Sequence, residues 1–402
     1  MKLVCEINQC AGCAACVDIC PTNSINIVDC LDHMDAEINK STCINCGLCY
    51  KTCGQNHPAE LRRAQKWLQG WAEDSIRLSS SSGGFGQALM LDFIKRGGYV
   101  AACKLIGGEY KFILAKEVGD IDGCAGSKYV KSNPQGIYKK IKVSLKDNHR
   151  ILFIGLPCQV SSLRNYVRDD KNLYTVDLIC HGSPSIKILQ MALKEYGLDI
   201  HNLKDVRFRN NTNFGLYNDR TRIVPDGVID RYTMSFLRGL FYTENCYNCH
   251  YAQIDRVGDL TIGDSWGTEI HDELSKGISL VLCQTNKGKE MIDKLDFTFK
   301  PVDIKNSIEQ NKQLQHPSVE PLEREKFFKD LHNGKSFKAA VVRAYTRDVV
   351  KQEVKTILLK LNIMCGGGYT INVTDYHINI TKMFCSIGQS FKISNWILKE
   401  AA

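Results

Sequence analysis

No run of about 18 apolar residues occurs in the 402-residue chain, so no segment reads as a transmembrane helix. The first ten residues do not read as a secretory leader either, because Lys2, Glu6 and Asn8 break them up. Helix-turn-helix and base-stacking motifs are missing, which sets aside nucleic acid as a partner although the formal charge is +8. That charge is unevenly placed. Residues 1–60 hold three lysines (2, 40 and 51) against seven carboxylates, for a net charge of −4, and the basic excess lies downstream. Without a leader, the 19 cysteines point away from a disulfide scaffold and toward thiols kept reduced in the cytoplasm. A hydrophobic content of 44% is ample for the two or three domains that the length suggests.

What is present, above all, is a repeat of cysteines. Cys10, Cys13, Cys16 and Cys20, followed by Pro21, have the spacing C-x2-C-x2-C-x3-C-P of bacterial iron–sulfur proteins. The run recurs 33 residues later as Cys43, Cys46, Cys49 and Cys53, with Gly54 in place of the proline. A cubane cluster needs four thiolates converging on one point. Three cysteines at i, i+3 and i+6, on a loop with small residues such as Gly12, Ala14 and Gly47, can wrap one cluster. The fourth opens the next turn and points the other way. Residues 1–60 resemble a two-cluster bacterial ferredoxin, in which the fourth cysteine serves the other cluster. The expected 4Fe–4S ligand sets are therefore crossed: Cys10, Cys13, Cys16 and Cys53 on one, and Cys43, Cys46, Cys49 and Cys20 on the other. Structural zinc, the rival, normally uses C-x2-C pairs separated by longer gaps.

Downstream, Leu61, Ala64, Trp67, Leu68 and Trp71 fall at helical spacing and predict a connector helix. Residues 79–86, four serines followed by Gly83, Gly84, Phe85 and Gly86, precede a helical pattern to residue 96. Such a stretch makes either a phosphate cradle at a helix start or a flexible linker. A mixed α/β body follows, with strands expected at 99–106, 112–118, 151–155 and 174–179. Two of these end in Pro157-Cys158-Gln159 and Cys180-His181-Gly182, the usual place for α/β active-site residues, although a single buried cysteine is as readily structural. Cys158 is expected at a helix N-terminus, where the dipole favours thiolate. Cys246 and Cys249, followed by His250, form a metal-binding pair that does not by itself name its metal. Residues 258–267 read as a strand ending in an acidic, aromatic turn. From residue 335 a long, basic amphipathic pattern predicts a helix, either packed on the body with a solvated basic face or lying on an anionic membrane. Cys5, Cys30, Cys103, Cys124, Cys283, Cys365 and Cys385 lack ligand spacing and read as structural.

The ordered set Ser80-Ser81-Ser82-Gly83-Gly84, Ala125-Gly126-Ser127-Lys128-Tyr129, Pro157-Cys158-Gln159, Cys180-His181-Gly182, Cys246-x2-Cys249, Arg256-Val257-Gly258-Asp259 and Gly263-Asp264-Ser265-Trp266-Gly267 resembles the coenzyme F420 hydrogenase/dehydrogenase beta-subunit family over about residues 1–330. The resemblance implies FAD and iron–sulfur clusters, with electrons moving between a cluster relay and a flavin that exchanges hydride with an organic acceptor. It makes Ser82, Gly83, Gly84, Ser127, Lys128 and Tyr129 candidate FAD contacts, and Lys128 and His181 candidate catalytic residues. It also implies a third cluster on Cys158, Cys180, Cys246 and Cys249. Zinc on the C-x2-C pair is the main rival, and a nucleophilic Cys158 the lesser one.

The expected fold is α+β: a ferredoxin-like domain (1–60), a connector (61–78), a catalytic body (79–334) and a basic helical C-terminal extension (335–402). The expected function is a cytoplasmic FAD and iron–sulfur oxidoreductase fed by a small redox protein or partner subunit, with possible peripheral membrane contact through the basic helix. A deazaflavin-dependent subunit of a larger hydrogenase or dehydrogenase is the alternative within the family. A non-catalytic electron carrier is the alternative outside it.

Overall fold

The computed structural model describes residues 2–361. In the N-terminal module, β1 (Lys2–Leu3), β2 (Ile25–Asp29) and β3 (Met34–Ile38) form an antiparallel sheet in the order β1-β3-β2. Its two short helices, Ala15–Ile19 and Leu48–Thr52, start after left-handed residues, Ala14 and Gly47, and end on extended Cys20 and Cys53. The repeated motif thus gives a repeated local structure: a loop, one helical turn, and a fourth cysteine that leaves in extended conformation.

The body is built on eight strands. They are β4 (Lys66–Trp71), β5 (Tyr99–Ile106), β6 (Glu109–Ala115), β7 (Ile151–Gly155) and β8 (Leu173–Leu178), and further on β12, β13 and β14. Between them β9 (Val206–Asn210), β10 (Asn213–Asn218) and β11 (Thr221–Arg222) make a separate small sheet. With β12 (Leu260–Asp264), β13 (Ser279–Cys283) and β14 (Thr298–Lys300), the large sheet runs β14-β4-β13-β12-β8-β7-β5-β6. Pairing is parallel along β12-β8-β7-β5 and antiparallel toward both edges. Both faces are covered, so the central strands are apolar on both sides. Val100, Leu152, Tyr174 and Val176 pack against helix Phe85–Lys95. Their alternate neighbours Ala101, Ile151, Phe153 and Leu173 pack against helices Ile137–Lys146 and Pro157–Val167. The last of these helices also carries the module.

Two expectations are corrected. Residues 66–71 are not a connector helix but strand β4, paired between β13 and β14. Trp67 packs beside Leu280 and Leu282 on one side, while Leu68 joins Phe85 and Val281 on the other. The apolar residues there fit either period, and two available strand partners decided the outcome. The basic C-terminal pattern is two helices, Phe337–Ala344 and Thr346–Lys360, broken at Tyr345. Phe337, Ala340, Val341 and Val349 are buried with Tyr232, Phe241 and Phe327. That stretch is therefore part of the body rather than an extension, and only Val350, Val354, Ile357 and Leu361 remain as an exposed apolar stripe. No helix among the described residues is long and apolar enough to cross a membrane. Cys365, Cys385 and the rest of 362–402 lie outside the described residues.

Candidate functional site

The module's cysteines divide by depth. Cys10, Cys16 and Cys53 are buried, whereas Cys46 is exposed and Ile44 and Tyr50 beside it are 62% and 54% exposed. The charge on Cys53 is felt at Cys10, Cys13 and Cys16, and the charge on Cys20 at Cys49. Cys16 also feels Cys49, so the two cysteine runs lie close to each other. Cys5, which reads as structural in the sequence, lies against Cys10 and Cys53, and hydrogen bonding to their sulfurs pushes its own thiol far up.

The buried set faces the body. Cys13 Sγ is 3.2 Å from Ser162 Oγ, Tyr138 donates to the Cys13 carbonyl (2.9 Å), and Lys131 Nζ donates to the Ala11 carbonyl (3.1 Å). Asp18 is buried and accepts from the Gly136 and Tyr138 amides at 2.8 and 3.2 Å. Gly54 explains the missing proline. A Cβ there would stand 2.8 Å from Ser162 Oγ, and Tyr251 donates to the Gly54 carbonyl at 2.6 Å. Only a residue without a side chain lets the chain run this close to helix Pro157–Val167.

Just beyond that contact, Cys158, Cys180, Cys246 and Cys249 line one small cavity with Lys131 and Tyr251. Cys158 starts helix Pro157–Val167, Cys180 follows β8, and the C-x2-C pair leads toward β12. Arg256 sets the loop that carries the pair. It is buried against Asp177 of β8 (2.7 Å) and also donates to the carbonyls of Tyr251 (2.8 Å) and Gln253 (3.3 Å). The helix dipole does not make Cys158 an easy thiolate. Burial pushes its thiol well up, opposed by Lys131. Burial and the neighbouring Cys246 and Cys249 push Cys180 up to about 12, and burial with Cys246 pushes Cys249 to about 11. Burial and mutual repulsion leave these four enclosed thiols needing more positive charge than Lys131 supplies if they are to ionise. The donor set fits a cubane better than one zinc ion, because zinc–sulfur bonds of about 2.3 Å hold thiolates about 3.8 Å apart. Among the described residues the one trio of potential ligands within 4.8 Å of one another lies elsewhere, at Cys30, His33 and Asp35.

Leu156, Cys180, His181, Gly182 and Ser183 are shared with a far larger cavity of about 310 Å³. Its rim includes Ser80, Ser81, Ser82, Gly84 and the start of helix Phe85–Lys95, and its wall includes Tyr129, Phe214, Phe236 and Trp266. Tyr129 stacks on Phe236 at 4.4 Å. Arg209, nearly fully buried, pairs with Asp264 at 2.7 Å, and its Nε has no partner. The first backbone N–H groups of the helix also have no partners within it. These donors, with the aromatic wall, suit a ring system that carries acceptor atoms or an anionic tail. Arg209, Phe214 and Asn311 escape a reading by motif, since none sits in a recognisable local pattern; Asp264 and Trp266 lie in a quoted stretch without a role.

The candidate FAD contacts are not equivalent. Ser82 Oγ donates to the Ile278 carbonyl (2.9 Å), and the Ser127 amide donates to Ser81 Oγ (2.7 Å). Gly83 is fixed by packing, because a Cβ would stand 2.2 Å from the Gly70 carbonyl oxygen. Gly84 has φ +85° and starts the helix. Lys128 Nζ donates to the carbonyls of Cys124, Ala125 and Gly126 at 2.6, 2.7 and 3.0 Å. An ammonium has three donors. Lys128 thus organises its own loop, and burial lowers its pKa.

His181 keeps accessible surface inside the cavity but is enclosed by protein, which brings its pKa down to about 4 against the opposing pull of Asp264. It is neutral near pH 7. Between its ordinary value of 6.5 and about 4 the unfolded chain binds a proton that the folded chain refuses. Stability therefore falls as pH drops through that window. We expect His181→Asn to reduce this acid slope in denaturation measured from pH 7 to 4, and an unchanged slope would place the proton uptake elsewhere.

Residues 148–303 match the family model that describes the C terminus of the coenzyme F420 hydrogenase/dehydrogenase beta subunit. An uncharacterized protein of Methanocaldococcus jannaschii is 24% identical over an alignment covering 42% of this chain and 55% of the relative. The chain thus spans about half the length of that curated relative. Among solved structures, a chain from the F420-reducing NiFe hydrogenase complex of Methanosarcina barkeri is 18% identical with a TM-score of 0.44, covering 77% of this chain and 97% of that one. The matched residues 148–303 hold Cys158, Cys180, Cys246 and Cys249, so this part of the chain is similar to the C terminus of the coenzyme F420 hydrogenase/dehydrogenase beta subunit.

Proposed function

We propose that the chain is an iron–sulfur oxidoreductase in which FAD occupies the large cavity and exchanges electrons with an organic substrate. One observation carries this reading. The charge of Cys13 is felt at Cys158, and Cys180 lines both the small cavity of the four body cysteines and the large cavity, so module, body cysteines and large cavity stand in sequence. Eight cysteines would hold two 4Fe–4S clusters in the module, and Cys158, Cys180, Cys246 and Cys249 a third. A bound flavin supplies the conversion between single electrons and hydride. Around it, Arg209 and the helix start would bind anionic or acceptor groups, the aromatic wall would position the ring, and neutral His181 could hold a proton at one ring nitrogen. A small redox protein or partner subunit would dock where Cys46, Ile44 and Tyr50 face solvent.

The family name favours a second reading, in which the acceptor is coenzyme F420 and the chain is the beta subunit of a larger assembly. Cofactor extraction from anaerobically purified protein tests the first reading: FAD should be released, and reduced ferredoxin or dithionite should bleach its bands before an organic acceptor restores them. Release of deazaflavin alone would remove FAD. Reoxidation solely by other redox proteins would leave a carrier. Arg209→Ala should weaken cofactor binding roughly ten- to a hundredfold, as expected for a lost charged hydrogen bond. Unchanged affinity would take Arg209 out of the site.

A further inference from the structure

We infer that Cys30, His33 and Asp35 form a zinc site at the tip of the module's hairpin, separate from the cysteine sets and the large cavity. The three ligand atoms lie within 4.8 Å of one another. Local structure brings them together. Strands β2 and β3 pair up to Asp29 and Met34, and the Cys30 amide donates to the His33 carbonyl at 3.0 Å, so the turn places Cys30 across from His33. Asp35 follows two positions later along β3, on the same face as His33.

The surroundings fit an ion. Asp32 Oδ1 lies 2.8 Å from His33 Nδ1, which leaves Nε2 facing Asp35 Oδ2 at 3.6 Å. A carboxylate on one imidazole nitrogen, with the other free for metal, is the usual orientation of a metal-bound histidine. A tetrahedral zinc with ligand bonds of about 2.0–2.3 Å holds neighbouring donors roughly 3.3–3.8 Å apart. The second carboxylate oxygen of Asp35, Oδ1, is buried with no hydrogen-bond partner, and an unpaired buried carboxylate oxygen is costly. One thiolate, one imidazole and one carboxylate form a mixed soft and borderline donor set that suits zinc better than magnesium or calcium. Three protein ligands leave a fourth position for water.

The position suggests what the ion would do. The Asp32 carbonyl accepts from the Glu244 amide (2.8 Å) and from Arg324 (3.0 Å), while Asp29 accepts from Ser185 and Lys187 at 2.7 Å each. The hairpin tip is thus a second attachment of the module to the body, and zinc would fix its shape.

The test uses the full chain with its clusters reconstituted, so that the iron-binding thiols are occupied. After equilibration with zinc sulfate and gel filtration, metal analysis should find about one zinc per chain. Cys30→Ser and His33→Gln should each lose it with iron content unchanged, and Asp32→Asn should weaken binding about ten- to a hundredfold. His33→Gln is the conservative variant in case Cys30→Ser folds poorly. Zinc absorption-edge spectra should show one sulfur near 2.3 Å with the remaining ligands near 2.0–2.1 Å. No zinc in the wild-type chain, or equal zinc in wild type, Cys30→Ser and His33→Gln, overturns the site.

Discussion

Replacing Cys246 and Cys249 together by serine is expected to remove about four of about twelve iron atoms per chain, because a cubane needs four thiolates and these two are half of one set. Both module signals should persist, since the Cys10–Cys16 loop is anchored through Ser162 and Tyr138 on Cys13 and Lys131 on Ala11, while the C-x2-C loop reaches the module through Tyr251 on the Gly54 carbonyl. Electrons from the module should then stop short of the large cavity. Cys158, where the charge of Cys13 is felt, stands on the module side of the small cavity, and Cys180 on the side of the large one. A cofactor that dithionite still reduces directly, but that reduced ferredoxin does not, is the expected pattern. Iron content equal to wild type would end the assignment of a third cluster. Loss of about eight or more irons would mean that the pair supports the module instead.

Arg256→Ala should be strongly destabilising. Arg256 and Asp177 are 1% and 0% exposed, and removing one partner of a buried ion pair leaves an uncompensated charge, at a cost of about 3–5 kcal/mol. The same change frees the Tyr251 and Gln253 carbonyls, so the loop behind Cys249 loses its anchor. Denaturant titration of the cluster-loaded chain should show a lower midpoint, accompanied by loss of the body's share of iron. Arg256→Lys should fall between, because an ammonium keeps the charge but cannot reproduce the guanidinium fork. A midpoint within experimental error of wild type in Arg256→Ala would show that Asp177 finds another partner.

The sequence by itself determined what local spacing can determine. Two matched cysteine runs imply two matched loops wherever they fold, because each run folds on itself within eleven residues. The central strands β5, β7 and β8 were legible because strands buried on both faces are continuously apolar. The C-x2-C pair and the cysteines after β7 and β8 could be named, but not brought together. Between Cys158 and Cys249 stand β8 and the whole of the small sheet, and only the parallel β7-β8-β12 arrangement puts their ends at one cavity. Long-range strand pairing also overruled helical spacing at Trp67 and Leu68, and aromatic packing drew Phe337 to Val349 into the body. It was likewise tertiary contact that occupied Lys128 with three carbonyls, left Arg209 Nε without a partner, and set His33 between Asp32 and Asp35. A side chain's residue type limits what it can donate or accept, whereas its partners depend on segments far away in the chain, which spacing alone does not encode.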